Sequence, residues 1–313
     1  MMSSGGGVDS ESGRVRSALG RLQRVRWIWN LSVATYVGLA VCVPAAPGDE
    51  KSAKANALNW QPPNVDAPLR LLMSIPPCDA GKVLVEVGGH ATEMTANLEN
   101  FTAEEKIEYL QLDYTGRPEE SDSGVFEYVF GFEHRRGGRS SREYRSPAKG
   151  GHGFAASNQD TGLAALALIF LPGLQTDYDM NCEGLDKWNG QLAWVMRFQQ
   201  RREKPRRTLL FHTDAGTVGA MLKGRAWISA ESGQVLHLET NLMQDIPAMN
   251  LRFSAISVDY APVQIESKKL ELWLPKRVEA YWEISTHRII LYHSFSEFRV
   301  FSVDTEQNIQ KPK

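Results

Sequence analysis

The chain has 313 residues, of which 42% are hydrophobic and 23% are charged, the composition of a globular protein with a substantial core. Its 35 basic and 37 acidic residues give a net charge of −2 at pH 7. Nucleic-acid-binding domains carry a strongly basic face, so this balance speaks against a nucleic-acid partner.

The first 46 residues have the pattern of an export signal. Five arginines between positions 14 and 26 precede an apolar run over residues 28–43, and small residues follow at positions 44–46. The alternative is a membrane anchor retained over residues 27–46. The apolar run is shorter than the roughly 20 residues of a spanning helix, which favours cleavage.

A third interpretation of this segment is lipidation at Cys42. Val41 stands before that cysteine, where a lipobox has a small residue, and this departure argues against it. We expect an exported protein, periplasmic or in the outer envelope. Its domains are then a signal peptide or anchor (residues 1–46), a linker (47–63) and a single curved-sheet domain (64–313).

Two cysteines remain after the export segment, Cys78 and Cys182. An even number of cysteines in an oxidising compartment predicts a disulfide. The bond would close a loop of about 100 residues, for which the chain-entropy model gives about 4–5 kcal/mol. The alternative is two unrelated buried thiols.

The first elements after the linker are predicted from short patterns. Residues 66–75 read as a short helix and residues 82–87 as a short strand. Thr102 and Glu105 have the spacing of a capping box, which predicts that a helix begins there. Strict alternation over residues 125–132 predicts a strand that places Phe126, Tyr128, Phe130 and Phe132 on one face.

Two unusual segments follow. Residues 135–153 are rich in arginine, glycine and serine, and we interpret them as a solvated hairpin connection flanking a strand at residues 142–145. The functional alternative is a contact with an anion or an anionic lipid. Residues 159–171 predict a helix that is apolar nearly all round and ends at Pro172. Such a helix must be buried, inside a sheet's concave face or across its mouth.

The remainder of the chain predicts strands with short connections, which favour antiparallel neighbours. One-sided alternation in several of them fits a sheet with one wet face. The predicted strands are residues 191–199, 208–212, 224–231, 234–242, 251–260, 269–274, 277–284, 288–294 and 298–303.

The search for a chemical site finds no catalytic motif. No two histidines have the His-x-His pattern of a zinc site on a strand, and His212 with Asp214 comes nearest to a pair of metal ligands. Residues 177–188 begin like a calcium loop, yet Cys182 and Trp188 stand where glycine and glutamate are required. We expect no catalytic residue, no metal and no cofactor.

The inward-facing apolar rows predict either a ligand cavity or plain core. The residues expected to line a cavity are Trp194, Met196, Phe198, Leu236, Leu238, Trp282 and Phe170.

The segment from Gly224 to Thr240, with Gly-x-x-Trp-Ile leading to a glycine turn and a second strand, resembles an element of the outer-membrane lipoprotein-sorting superfamily and its uncharacterised bacterial envelope relatives. Ser229 stands where aspartate is usual. The step Leu272-Trp273-Leu274-Pro275-Lys276 is similar as well, and the match covers mainly residues 190–303.

The resemblance implies a mainly β (α+β) fold, a curved antiparallel sheet or incomplete β-barrel with a few helices on its concave face. Such a sheet would hold acyl chains or other apolar groups. We therefore expect a non-enzymatic envelope protein that binds a lipid or a lipoprotein's acyl chains, with membrane contact through the N-terminal segment or the basic loops. The alternatives are a secreted enzyme with a site built from scattered residues and a structural subunit of an envelope assembly.

Overall fold

The computed structural model describes residues 61–72, 78–97, 100–135, 138–149, 160–163, 165–204, 208–213 and 216–301. The predicted export signal and most of the predicted linker lie outside these residues. Within this part of the chain, no helix combines the length and the apolar character that a membrane crossing needs.

The described residues form thirteen strands, two α-helices and three 3-10 helices. The helices are α1 (Ala80–Asn97) and α2 (Pro172–Gln175), with 3-10 helices at Leu166–Phe170, Pro247–Met249 and Glu266–Lys268. The strands are β1 (Asn100–Leu112), β2 (Pro118–Arg135), β3 (Gly138–Pro147), β4 (Asp160–Thr161), β5 (Tyr178–Trp188), β6 (Gln191–Gln200), β7 (Leu210–Thr213), β8 (Gly216–Gly219), β9 (Leu222–Ser229), β10 (Val235–Leu242), β11 (Leu251–Ile265), β12 (Leu270–Ile284) and β13 (His287–Phe301).

Ten strands make one large antiparallel sheet in the order β3-β2-β1-β13-β12-β11-β10-β9-β6-β5, and β4, β7 and β8 make a small second sheet. The large sheet is curved and does not close into a barrel, so the predicted fold class is confirmed. Register shifts of the β-bulge type interrupt β1, β5, β10 and β11. Bulges bend a strand and increase its twist, which accounts for the curvature.

The large sheet has two faces, which we call inner and outer. The inner face packs against α1 and the 3-10 helix Leu166–Phe170, and together they form the main core. The outer face carries a smaller apolar cluster of Ala193, Val195, Trp227 and Leu236. Side chains alternate between the two faces, so β6 sends Met196 and Phe198 inward but Val195 outward.

Three predictions for the first elements are wrong, two before β1 and one at β1 itself. Residues 66–72 form turns and irregular structure, and the rest of that predicted helix lies outside the described residues. Residues 82–87, predicted as a strand, lie in α1, whose buried Val83, Val87 and Ala91 recur every four residues. The missed signal is Asp79, whose carboxylate accepts a hydrogen bond from the Lys82 backbone at 3.1 Å and caps the helix.

The helix predicted to begin at Thr102 is strand β1. The capping-box pattern is local, whereas β1 pairs along its whole length with β2 and β13. Tertiary pairing therefore overrides the local signal, and Glu105 points into the core instead of capping a helix.

The later predictions need smaller corrections. Within the apolar segment 159–171, residues 162, 163 and 165–170 are buried as expected, but the helix there is the short 3-10 helix Leu166–Phe170, and Pro172 begins α2. The four predicted strands after residue 268 are two long ones. Pro275 follows a bulge in the pairing with β11, and Glu297 adopts a positive φ of 51° within β13, so both irregularities lie inside continuous strands.

The predicted disulfide is confirmed. Cys78 and Cys182 are bonded with a Cα–Cα distance of 5.9 Å across a sequence separation of 104. The bond ties the chain just before α1 to strand β5.

Candidate functional site

The inner face is filled by an apolar segment, residues 163 and 165–170, which we call the plug. Every side chain of the plug is at most 9% exposed. Gly162 leads into it with a φ of +106°, where an added Cβ would lie 1.9 Å from the Thr208 carbonyl oxygen. Only glycine fits that turn.

The plug makes few hydrogen bonds to the sheet. Its backbone bonds are mostly internal, as between the Leu168 amide and the Ala165 carbonyl. Among the described residues, the Ala167 amide reaches the sheet and donates to the Tyr260 hydroxyl at 3.2 Å. Apolar contact therefore holds the plug on the inner face.

Most of the residues predicted to line a cavity lie in the core that the plug forms with the sheet. Met196, Phe198, Leu238, Trp282 and Phe170 belong to one core and are at most 1% exposed, and Trp194 packs against it. The Phe170 and Phe198 rings lie edge to face with centroids 6.4 Å apart. These side chains touch protein atoms, so an apolar ligand would need the plug to move.

Leu236 is placed differently. It was expected to share a face with Leu238, but a register shift between Val235 and His237 turns it to the outer face. Alternation in the sequence carries no signal of a bulge, so that expectation is wrong.

A cleft opens between α1 and the sheet at one end of the plug. It is lined by apolar residues including Val87, Met94 and Tyr260, with His90 and Gln234 hydrogen-bonded at 3.0 Å on its rim. Its enclosed part holds about 40 Å³, which is room for a few water molecules and not for an acyl chain. The cleft reaches Ala167 and Tyr260, where the plug is hydrogen-bonded to the sheet.

A buried ion cluster interrupts the apolar inner face. We define it as Glu105, Glu143, Arg145 and His293, whose side chains are at most 2% exposed. Glu105 accepts hydrogen bonds from Arg145 Nε at 2.6 Å and from His293 Nδ1 at 2.8 Å. The Arg145 guanidinium also lies over the Tyr128 ring, 5.4 Å from its centroid.

The ion cluster shifts the pKa of Glu105, and its surroundings shift the pKa of the neighbouring Tyr128. Burial alone would raise the pKa of Glu105, but Arg145 and His293 outweigh it and hold that pKa below its usual value. Burial, with the Glu143 carboxylate nearby, raises the pKa of the Tyr128 hydroxyl well above its usual range. The cluster is shielded from water and holds its charges in fixed pairs.

Sequence reasoning missed this cluster. The capping-box pattern assigns Glu105 to a helix start, and the basic segment predicts Arg145 in a strand flanked by a solvated connection. The strand predicted at residues 142–145 exists as part of β3, with Arg142 exposed, but the Arg145 side chain is buried. The usable signal was alternation, because Glu105 falls at an inward position between Ala103 and Ile107.

The outer face is crossed by residues 61–72, which we call the strap. Val65 is fully buried; its amide donates to Asn241 Oδ1 at 3.0 Å and its carbonyl accepts from Arg197 Nη1 at 2.7 Å. Asp66 pairs with Arg197 and Lys223. Hydrogen bonding from Lys223, then from Arg197, lowers the pKa of the Asp66 carboxyl.

A stacked histidine lies beside the strap's apolar contacts. The His237 and Trp188 rings are parallel, with centroids 3.6 Å apart. His237 Nδ1 lies 2.8 Å from Asp259, and Nε2 lies 3.4 Å from Glu239. Burial would lower the pKa of His237, but these two carboxylates outweigh it and raise the pKa above its usual value.

The described residues include one of the two candidate metal ligands, His212. In the described part of the chain, no three or more histidine, cysteine, aspartate or glutamate side chains are grouped to hold a metal ion. His212 is exposed and lies 3.1 Å from the Thr217 hydroxyl, and Asp214 lies outside the described residues.

The comparisons with known proteins find similar folds. No protein-family model matches the chain, and neither does any curated protein. A DUF1329 family protein from Desulfovibrio piger is 10% identical with a TM-score of 0.41, covering 74% of this chain and 95% of its own.

Two further solved structures are similar. A domain of an outer membrane lipoprotein-sorting protein from Vibrio parahaemolyticus is 12% identical with a TM-score of 0.40, covering 74% of this chain and 96% of its own. A LolA superfamily protein from Nitrosomonas europaea is 12% identical with a TM-score of 0.35, covering 74% and 97%. The superfamily that the sequence resembles is thus among the matches to the structure, and these likenesses concern the fold.

Proposed function

We propose that this protein is an exported, non-enzymatic binder of an apolar ligand, a lipid or an acyl chain, and that the ligand takes the place of the plug on the inner face. The plug itself carries the proposal. It is a run of buried apolar side chains, whose described backbone is joined to the sheet by the hydrogen bond from Ala167 to Tyr260.

The burial energies of plug and ligand are close enough to permit an exchange of this kind. Burying one large aliphatic side chain is worth about 1.5–3 kcal/mol and burying one methylene about 0.8 kcal/mol. An acyl chain of a dozen or so methylenes therefore offers burial comparable to that of the plug. The hydrogen bond from Ala167 to Tyr260 is a small additional cost of leaving.

The cleft between α1 and the sheet is the proposed entrance. It already reaches the contact between Ala167 and Tyr260. A ligand entering there would meet Val87 and Met94 before reaching the aromatic core. Export is supported by the arginine-rich and apolar pattern of the first 46 residues and by the disulfide, which persists in oxidising compartments.

The test compares two leucines that are both fully buried, Leu166 in the plug and Leu238 on strand β10. Binding of a fluorescent long-chain fatty acid is measured for Leu166→Ala and Leu238→Ala. Either change should destabilise the protein by about 2–5 kcal/mol. Leu166→Ala weakens only the plug, so the probe should bind it at least tenfold more tightly than the wild type.

Leu238→Ala is the control, because the sheet residue would contact plug and ligand alike. Its probe affinity should stay within about threefold of the wild type. Native mass spectrometry of protein from an envelope fraction should also show a co-purifying acyl species. If neither variant takes up the probe and no lipid is extracted, the plug is permanent core and the proposal fails.

A further inference from the structure

The outer face holds the strap by side-chain contacts to its backbone, the kind of contact that a receptor makes with a bound peptide. The sheet recognises its backbone through side chains: Asn241 binds the Val65 amide and, through Nδ2, the Pro63 carbonyl at 2.9 Å. Arg197 binds the Val65 carbonyl. No residue of the strap is in a strand, so these contacts are not an extension of the sheet.

Side chains of the strap fill matching positions on the same surface. Val65 is 0% exposed, and Leu69 and Leu71 pack on the outer cluster that contains Val195 and Trp227. Between these anchors, residues 66–68 are exposed. An aliphatic side chain therefore fits at one position of this surface, and further apolar side chains fit downstream of it.

Charge adds a second element of selection. Asp66 follows the buried valine and lies against two cations, Arg197 at 2.6 Å and Lys223. Arg197 itself is positioned 3.9 Å from Glu183, which is also paired with Arg225 at 2.6 Å. Arg197, one of the two cations that receive Asp66, is thus held in place by a neighbour on the sheet.

We propose that this surface is a second binding site, for a peptide that turns where an aliphatic residue is followed by an acidic one, and that the strap, whose residues 64–67 form such a turn, occupies it in cis. The contacts are few and local, so the strap can leave without unpairing any strand of the sheet. A partner peptide of the same chemistry then replaces it. This inference is independent of the ligand proposed for the inner face.

The test uses the full chain and a labelled peptide with the sequence of residues 61–72. Val65→Asp removes the buried anchor and should free the site. Ala67→Asp is the matched control, because it adds the same charge at an exposed position of the strap. The peptide should bind Val65→Asp at least tenfold more tightly than wild type or control, in which the tethered strap competes at about millimolar effective concentration.

Asparagine at the position of Asp66 in the peptide should weaken that binding at least tenfold. A folded Val65→Asp protein, cooperative in thermal unfolding, that binds the peptide no better than Ala67→Asp overturns the proposal. If Val65→Asp does not fold, Asp66→Lys takes its place under the same criteria, since the Asp66 side chain is 49% exposed.

Discussion

The two faces of the large sheet are covered by segments that are held in different ways. On the inner face, the plug buries apolar side chains in quantity, and the Ala167 amide donates a hydrogen bond to Tyr260 of the sheet. On the outer face, the strap buries fewer side chains but is held by directional contacts from Asn241, Arg197 and Lys223. Apolar burial is non-directional, so the exchange proposed for the inner face would accept many apolar chains. Hydrogen bonds and ion pairs have fixed geometry, so the exchange proposed for the outer face would require a matching peptide.

The ion cluster interrupts the apolar inner face. Replacing Arg145, the arginine of that cluster, is expected to have the largest effect on stability. Arg145→Met would remove the guanidinium from the buried Glu105 carboxylate, which would keep its hydrogen bond with His293. Breaking a buried pair in this way costs about 3–5 kcal/mol, because one charge loses its compensation. Urea unfolding monitored by circular dichroism measures the change.

Arg142→Met on the same strand is the control, because that arginine is exposed and its loss should change stability by less than about 0.5 kcal/mol. The double variant Glu105→Gln/Arg145→Met should recover part of the loss. Equal stability of the two arginine variants would show that the ion cluster does not stabilise the inner face.

The disulfide offers a test of how firmly the inner cover is attached. It fixes the chain just before α1 to strand β5, and α1 packs against the plug's 3-10 helix. Replacing both cysteines by serine should cost about 2–5 kcal/mol of stability, since the bond closes a long loop. Thermal unfolding of the double variant and of the wild type measures this.

The same double variant should also take up the fatty-acid probe more readily, because α1 is then less restrained. The reduced wild type is its control and should behave alike. A loss of stability below about 1 kcal/mol, together with unchanged probe uptake, would mean that packing alone holds α1 in place.

The sequence predicted the features that apolar periodicity reports, and it missed those that depend on pairing between strands distant in the chain. The aromatic alternation of residues 125–132 and the burial of the plug were predicted, because apolar periodicity reports directly on burial. The disulfide followed from cysteine count and compartment. Strand β1 was missed because a capping box is a local pattern, whereas pairing with β2 and β13 is not visible in the sequence.

The candidate sites were predicted less well for the same reason. Glu105, Arg145 and His293 come from three strands, and their convergence depends on strand order. The turning of Leu236 to the outer face depends on a bulge. The strap's anchor Val65 lies at the edge of the predicted linker, where the sequence is polar and rich in proline.

The smallest expected effect concerns the outer face and its pH dependence. The pKa of His237 is raised in the folded protein, because Asp259 and Glu239 outweigh the effect of burial. Below the ordinary pKa of 6.5, the folded and unfolded states are both protonated and the stabilisation is fully present. As pH rises through the higher pKa of the folded state, the proton is lost and the stabilisation disappears. Charge-assisted hydrogen bonds of this kind are worth roughly 1.5–3 kcal/mol at most.

Melting temperatures between about pH 5.5 and 9 should therefore fall across that window in the wild type but less steeply in His237→Gln. His212→Gln, at an exposed histidine, should keep the wild-type slope. Identical slopes for His237→Gln and the wild type would mean that the stacked histidine on the outer face does not titrate as its two carboxylate partners require.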